Sequence, residues 1–376
     1  MSTAAPARVM ICDDSAVIRS AIARILDADP DITVVARAAD GREGVDTLRR
    51  VPADVIVLDI EMPVLDGIGA LPELLKVDPR VRIVMASTLT TRGADIALRA
   101  LRLGAADYIP KPSAVTGLND LGFRAELLAK VKGLARLRRG LGAGPPDRPT
   151  AAHPAATRPV ANRPAPGLPP RLLAIGSSTG GPQALLRLIG DLGADIAVPV
   201  VITQHMPPAF TAMLAAHITA LGALPCAEAK DRETLLPGRA YLAPGDRHLL
   251  IESTASGFVA RLSDAPAVNY CRPAVDPMLL SAAAAADGRV LVAMLTGMGH
   301  DGLEGTRAVV AAGGTALAQD EATSVVWGMP GAIAQAGLCH AVLPLAELAP
   351  RLRALLRGAL LRGALIRDVL LRDARP

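Results

Sequence analysis

Between residues 8 and 139 short apolar runs alternate with stretches in which apolar residues recur at helical spacing. Arg8–Cys12, Ile32–Ala36, Val55–Leu58, Arg82–Ala86 and Asp107–Ile109 read as strands. Ala16–Leu26, Gly41–Arg50, Leu71–Lys76, Ala94–Leu103 and Leu118–Leu137 read as helices. Continuous apolar runs without polar alternation fit strands covered on both faces. Strands that alternate with helices in this way predict a doubly wound parallel sheet.

The pattern breaks at 140–170, where Pro, Ala, Gly and Arg dominate, as in Gly144–Pro149 and Pro164–Pro170. Such a stretch cannot bury a core and reads as an extended linker. The strand and helix rhythm returns from 171 to 345, with Arg171–Ile175, Val198–Thr203, Gly238–Leu242 and Val290–Thr296 as its clearest strands. Residues 247–272 read as a β-rich insertion. From Leu345 to Arg372, Leu and Arg alternate at near-helical spacing, as in an amphipathic helix packed on the body; a membrane-surface or partner-binding helix is the other reading. The expected organisation is one α/β domain at 6–130, a helix end and flexible linker at 131–170, a second α/β domain at 171–345 and a C-terminal amphipathic helical extension at 346–376.

Composition changes this picture little. The chain has 376 residues, of which 51% are hydrophobic and 2% aromatic, so two cores must be built from Ala, Val, Leu and Ile. A net charge of +4, without an aromatic stacking surface, gives no reason to expect nucleic acid. Cys12, Cys226, Cys271 and Cys339 stand far apart and form no CxxC pair, which argues against a disulfide framework or a zinc site. Met1–Arg8 lacks a signal-peptide pattern, and no apolar run reaches the roughly 18 residues of a membrane span. The expected location is the cytoplasm.

In a parallel sheet, ligands gather at the carboxyl ends of the strands. The first predicted strand ends in Asp13 and Asp14, the third in Asp59, the fourth in Ser87 and Thr88, and Lys111 follows the fifth. Carboxylates this close repel one another, so a hard cation such as Mg2+ is the natural compensation. A phosphoryl group arriving on one carboxylate would meet the metal, a hydroxyl and an ammonium, and positioning with charge neutralisation is most of what phosphoryl transfer requires.

In the second half, the strand Leu172–Ile175 runs into Gly176-Ser177-Ser178-Thr179-Gly180-Gly181-Pro182. A tight strand-to-helix turn of this kind aims backbone N–H groups and a helix dipole at one point. It suits either a bound phosphate or a serine nucleophile at an elbow, and the loop alone does not separate them. The following strands end in Gln204-His205-Met206-Pro207-Pro208 and in Thr296-Gly297-Met298-Gly299-His300-Asp301-Gly302. A serine, a histidine and an aspartate at strand ends of one sheet are what nucleophilic acyl chemistry needs: a base to take the hydroxyl proton and a carboxylate to fix the tautomer of that base. His217, His248 and His300 are alternative bases, the first two in more structural settings.

Asp13-Asp14-Ser15, Leu58-Asp59-Ile60-Glu61-Met62-Pro63, Asp66-Gly67 and Lys111-Pro112 resemble a response-regulator receiver over nearly all of 8–130. Ile175–Gly181, Thr203–Pro208, Met294–Gly302 and the segment from Gln319 through Pro330 resemble the catalytic domain of the chemotaxis methylesterases, CheB, over roughly 170–345. The resemblance implies a flavodoxin-like receiver and a Rossmann-like Ser-His-Asp hydrolase. It implies a phospho-acceptor at Asp59, Mg2+ held by Asp13, Asp14, Asp59 and the Glu61 carbonyl, and a switch formed by Ser87, Lys111 and Tyr108. In the second domain it implies Ser178 as nucleophile, His205 as base and Asp301 as orienting acid. Thr179 would lie beside the nucleophile, and Met298 would give a backbone N–H to the oxyanion hole. No cofactor is expected in this domain. The implied activity is hydrolysis of γ-glutamyl methyl esters on methyl-accepting chemoreceptors, with deamidation of receptor glutamines, under control of a chemotaxis-type histidine kinase. The order of switch, linker and enzyme leads to the expectation that the receiver covers the Ser178 cleft until Asp59 is phosphorylated. His300 stands where the family pattern has Asn, and the Leu/Arg tail runs past the usual end of the domain.

A phosphate- or nucleotide-binding module is the rival reading, but the loop lacks the lysine of a GxxxxGK[ST] motif, and such a module leaves His205 and Asp301 without a role. A DNA-binding regulator is a second rival, without a compact helix-turn-helix after the linker.

Overall fold

The computed structural model describes residues 5–87, 91–111, 121–140 and 168–357. Thr88, Pro112, linker residues 141–167 and tail residues 358–376 lie outside them. The chain divides into two compact units, Met1–Ala152 and His153–Pro376.

The first unit runs β1 (Ala7–Cys12), α1 (Ala16–Asp27), β2 (Ile32–Ala38), α2 (Gly41–Arg50), β3 (Val55–Asp59), α3 (Gly67–Val77), β4 (Arg82–Ser87), α4 (Thr91–Arg102), β5 (Asp107–Pro110) and α5 (Leu121–Gly140). Its parallel sheet has the order β2-β1-β3-β4-β5, so the chain reverses direction across the sheet between β1 and β3. Val55, Ile56, Val57 and Leu58 are all buried, as a strand covered by helices on both faces requires. Helix α3 begins at Gly67, earlier than the apolar pattern indicates. Asp66 accepts the Gly69 N–H at 2.7 Å and starts the helix before its apolar face does, and Pro72 is accommodated within it.

The second unit runs β6 (Leu172–Ser177), α6 (Gly181–Leu192), β7 (Val200–Gln204), α7 (Pro208–Ala220), β8 (Cys226–Glu228), β9 (Thr234–Leu235), β10 (Ala240–Leu242), β11 (His248–Thr254), β12 (Gly257–Ser263), α8 (Val275–Ala285), β13 (Val290–Met294), α9 (Leu303–Ala311), β14 (Thr315–Gln319), α10 (Met329–Gln335) and β15 (Ala341–Leu343). A last helix, α11, covers 345–357 and buries Leu348, Leu352 and Leu355. The main sheet is parallel throughout, in the order β15-β14-β13-β6-β7-β10-β8. Within the expected insertion at 247–272, β11 and β12 form a hairpin, and β9, from before it, completes a separate antiparallel sheet in the order β11-β12-β9.

Helices leave the sheet toward one edge after β6 and toward the other after β13. The reversal places the carboxyl ends of β13, β6 and β7 side by side at the centre. That crevice is where an open α/β sheet exposes loops to a ligand. The helix α6 begins immediately beyond it, after Gly180 at φ 75, where a side chain would also overlap Val325.

Candidate functional sites

At the carboxyl edge of the first sheet, carboxylate oxygens of Asp13, Asp14 and Asp59 all lie within 4.8 Å of one another. Lys111 Nζ reaches Asp13 Oδ2 at 2.8 Å and Asp59 Oδ2 at 2.7 Å, so one ammonium neutralises two of the three carboxylates. Burial, together with the Asp13 charge, raises the Asp59 carboxyl against the opposing pull of Lys111. Burial would lower the Lys111 ammonium, but hydrogen bonds and charge from Asp13 and Asp59 hold it above its ordinary value. Asp14, Asp59, Glu61, Ser87, Gly93 and Lys111 line a cavity of about 240 Å³. The Ser87 hydroxyl donates to the Gly93 carbonyl at 2.9 Å. Three converging carboxylates with a single fixed cation form a hard, oxygen-rich donor set with negative charge to spare, which fits a divalent cation such as Mg2+.

Tyr108 is buried, and Lys130 Nζ lies 5.2 Å from the centroid of its ring. The same ammonium pairs with Asp107 at 2.9 Å and donates to the Tyr108 carbonyl at 2.6 Å. The segment carrying Tyr108 is thereby tied to α5.

In the second unit Ser178 follows β6, His205 follows β7, and Asp301 lies in the loop after β13. His205 Nε2 is 2.7 Å from Asp301 Oδ2. Asp301 Oδ2 also accepts the Val275 N–H at 2.6 Å, and its Oδ1 accepts the N–H groups of Asp276 (3.1 Å) and Gly302 (3.0 Å). Asp301 thus caps α8, whose own N-cap, Ala274, has no capping side chain. Burial disfavours its charge, but His205, the Val275 N–H and Asn269 outweigh burial and hold its carboxyl at about 2. Burial likewise disfavours a charged His205, yet its hydrogen bonds to Asp301 and Cys271 push the imidazole up to about 9.

The Ser178 backbone is fixed on three sides. Its N–H donates to Thr296 O at 3.0 Å, and its carbonyl accepts from Gly181 N–H at 2.7 Å and from Gln204 Nε2 at 2.9 Å. Gln204 Nε2 also donates to the His205 carbonyl at 3.0 Å, while its Oε1 accepts the Ser177 hydroxyl at 2.7 Å. One buried amide therefore links the Ser178 loop to the His205 loop. Among the described residues no hydrogen bond joins the Ser178 hydroxyl to the imidazole. The partner at Nδ1 is Cys271 Sγ, at 3.3 Å.

Thr179 is buried, and its carbonyl accepts the Thr296 hydroxyl at 2.9 Å. The Gly297 carbonyl accepts from Gly328 N–H (3.0 Å) and Met329 N–H (2.9 Å). In a planar trans peptide the following N–H points the opposite way, so the Met298 N–H faces away from α10. The Trp327 indole N–H holds that support to Gln319 O at 2.9 Å.

Of the alternative bases, His248 is engaged on both nitrogens, with Pro266 O at 3.1 Å and the Ala274 N–H at 3.1 Å. His217 sits on α7 and His300 beside Asp301; neither takes the place of His205 against Asp301. Gln204, Asn269, Cys271 and Asp276 were not singled out as site residues by motif reading. Gln204 sits in a quoted motif without a recognisable role, and the other three come from a segment whose spacing carries no signal.

These two sites define the class: a response regulator joined to an α/β domain with Ser, His and Asp at adjacent strand ends. Residues 9–121 match the response regulator receiver domain and residues 173–352 match the CheB methylesterase domain. A protein-glutamate methylesterase/protein-glutamine glutaminase of Rhodospirillum centenum is 53% identical over 372 residues, covering 93% of this chain and 94% of that protein. Its Azospirillum brasilense counterpart is 52% identical over 363 residues, covering 93% and 92%. The crystal structure of the Thermotoga maritima CheB methylesterase catalytic domain superposes with a TM-score of 0.48 at 38% identity, covering 49% of this chain and 98% of that one. The chain belongs to the CheB methylesterase family and carries a response regulator receiver domain.

Proposed function

We propose that this chain is a phosphorylation-activated protein-glutamate methylesterase acting in the cytoplasm on methyl-accepting chemoreceptors, and that it also deamidates receptor glutamines. The observation that carries this reading is the 2.7 Å pair between His205 Nε2 and Asp301 Oδ2, set beside the strand that leads to Ser178.

Ser178 attacks the ester carbonyl while His205 Nδ1 takes the hydroxyl proton; Asp301 keeps the other nitrogen protonated and steadies the imidazolium. The same imidazole returns the proton to the departing methanol, and water, activated by His205, then releases the acyl group. With a glutamine side chain the leaving group is ammonia. The Met298 and Thr179 N–H groups are the proposed donors to the tetrahedral oxyanion, each worth about 3–4 kcal/mol.

In the receiver, Asp59 accepts the phosphoryl group from a chemotaxis-type histidine kinase. Asp13, Asp14, Asp59 and the Glu61 carbonyl would hold Mg2+, which supplies charge neutralisation at the phosphoryl oxygens. Lys111 and Ser87 contact the phosphoryl group, and Tyr108 reports it. Phosphorylation of Asp59 then raises the esterase activity, because a shift of a few kcal/mol between two receiver states is enough for a large change in activity. Domains at 6–130 and 171–345, joined through 131–170, are the proposed units of this switch, with 346–376 as the extension.

The test is methanol release from methylated receptor cytoplasmic domains by the full chain, with and without a small phosphodonor. Wild type releases methanol and Ser178→Ala does not. Methanol release by the alanine variant would remove Ser178 as nucleophile; no release by folded wild type would remove the substrate class.

A further inference from the structure

The turn Val268–Cys271 sends two side chains into the Asp301–His205 pair. Val268 and Cys271 exchange two main-chain hydrogen bonds, at 3.0 and 2.9 Å. Asn269 and Tyr270 between them hold left-handed backbone, with φ of 51 and 64. Two successive left-handed residues make a tight two-residue turn of the mirror-image type. Tyr270 is fully exposed, while its half-buried neighbours Asn269 and Cys271 reach Asp301 and His205. Asn269 Nδ2 donates to Asp301 Oδ1 and to Asp276 Oδ2, each at 3.0 Å. Cys271 Sγ stands 3.3 Å from His205 Nδ1. Arg272 braces the turn on Asp246 Oδ1 at 2.7 and 2.9 Å.

We propose that Cys271 is a positioning residue for hydrolysis at Ser178: its sulfur holds the His205 ring through Nδ1 while Asn269 of the same turn holds Asp301. The inference rests on the reading of Ser178 as nucleophile and His205 as base. A thiol suits this task because sulfur is both a weak donor and a weak acceptor. When the imidazole is neutral, the thiol donates to Nδ1; when it is protonated, Nδ1–H donates to the sulfur. The ring is therefore held in either protonation state before substrate binds. The weakness of the bond lets the Ser178 hydroxyl, a better donor, displace the thiol when substrate binds. An aspartate or asparagine in its place would compete for Nδ1.

The charged and titratable groups recorded around the imidazole are Asp301 and Cys271, with Asp276 from α8 behind Asp301. Cys271 contributes to the high position of the His205 imidazole. Its removal should therefore move the acid limb of the kcat/KM profile to lower pH.

The test compares full-chain wild type, Cys271→Ala, Cys271→Ser, Asn269→Ala and Ser178→Ala on the same methylated substrate across pH, with folding followed by circular dichroism. The expected result for Cys271→Ala is a plateau kcat lower by on the order of tenfold, KM within about twofold, and an acid limb at lower pH. Cys271→Ser, which keeps a group able to donate and accept, recovers part of the plateau and moves the limb back. Asn269→Ala lowers kcat in the same sense. A structural defect alone would lower the plateau without moving the limb, and that outcome overturns the proposal, as does wild-type behaviour of folded Cys271→Ala. Methanol release by Ser178→Ala would instead remove the underlying reading.

N-ethylmaleimide gives a second readout. The Cys271 sulfur adds across the reagent's double bond and the thiol proton ends on the adjacent carbon. Cys12, Cys226 and Cys339 are buried, with thiols pushed up to about 12, so Cys271 is the expected adduct site in the native protein. Loss of activity in step with the Cys271 adduct, and its absence in Cys271→Ala, supports the proposal. Full activity on the alkylated protein overturns it.

Discussion

His205 Nε2 and Asp301 Oδ2 lie 2.7 Å apart, although they follow strands separated by β6, the strand that leads to Ser178. The proposed base and its carboxylate partner thus flank the proposed nucleophile at one sheet edge. Their joint burial makes the pair sensitive to pH in a defined way. With the imidazole at about 9, the neutral base predominates only in alkaline solution. The expected kcat/KM therefore climbs from neutral pH to a plateau above about 9, read from methanol release across pH. A limb at the ordinary histidine value, near 6.5, would contradict this assignment.

The same pair has a stability signature. The raised His205 value contributes stability that is complete below its unfolded value and is lost as pH rises through about 9. The depressed Asp301 value contributes stability that is complete above its unfolded value of 3.8 and is lost as pH falls through about 2. Both describe one interaction, worth on the order of 2 kcal/mol. Urea unfolding should show the largest gap between wild type and His205→Ala from about pH 4 to 6.5, narrowing on both sides. A gap independent of pH would mean that the ring acts only by packing.

Asp301→Asn exchanges a five-fold acceptor for an amide that must turn one donor toward His205 or toward the α8 backbone. The imidazole then loses the partner that fixes its tautomer. The expected loss in kcat is about a thousandfold or more, with KM little changed. Activity within tenfold of wild type would indicate that another group orients the base.

Gln204→Ala strips the Ser177 hydroxyl and the Ser178 and His205 carbonyls of a common buried partner. A destabilisation on the order of 2 kcal/mol or more is expected from unsatisfied buried polar groups. Because the amide also sets the spacing of the two loops, kcat should fall at least tenfold in the folded fraction. Chemical denaturation paired with steady-state kinetics separates the two effects; unchanged kcat would limit Gln204 to stability.

In the receiver, Lys111 pairs with Asp13 and Asp59, two of the proposed Mg2+ donors. Lys111→Ala leaves three uncompensated carboxylates, so without metal its melting temperature should fall. At the same concentration Mg2+ should stabilise it more than wild type, with about 2–3 kcal/mol expected once Mg2+ is in hundredfold excess over the variant's own Kd. Equal Mg2+ stabilisation of both proteins would argue against the carboxylates as the metal donors. Asp59→Ala should lose the activation of methanol release by a small phosphodonor.

Buried strands are legible because a continuous apolar run has few alternatives, and Val55–Leu58 and Val290–Met294 emerge close to their bounds. Strands β8 and β15 are short and half-exposed, and no apolar run separates them from loop. The three residues Ser178, His205 and Asp301 are legible because each follows a strand within a motif. Cys271 and Asn269 are not, because their partners lie 66 and 32 positions away and no periodicity links them.

The sequence by itself determined the alternation of strands and helices, the break between two α/β units and the residues that end each strand. Those follow from hydrophobic period and turn chemistry, which act over a few neighbours. Only the tertiary structure decided the order β13-β6-β7 at the centre of the second sheet, the capping of α8 by Asp301, the amide bridge of Gln204 and the seat of Cys271 on the histidine. These depend on burying polar groups that must each find a partner, and the partner is set by which strands pack side by side, not by distance along the chain.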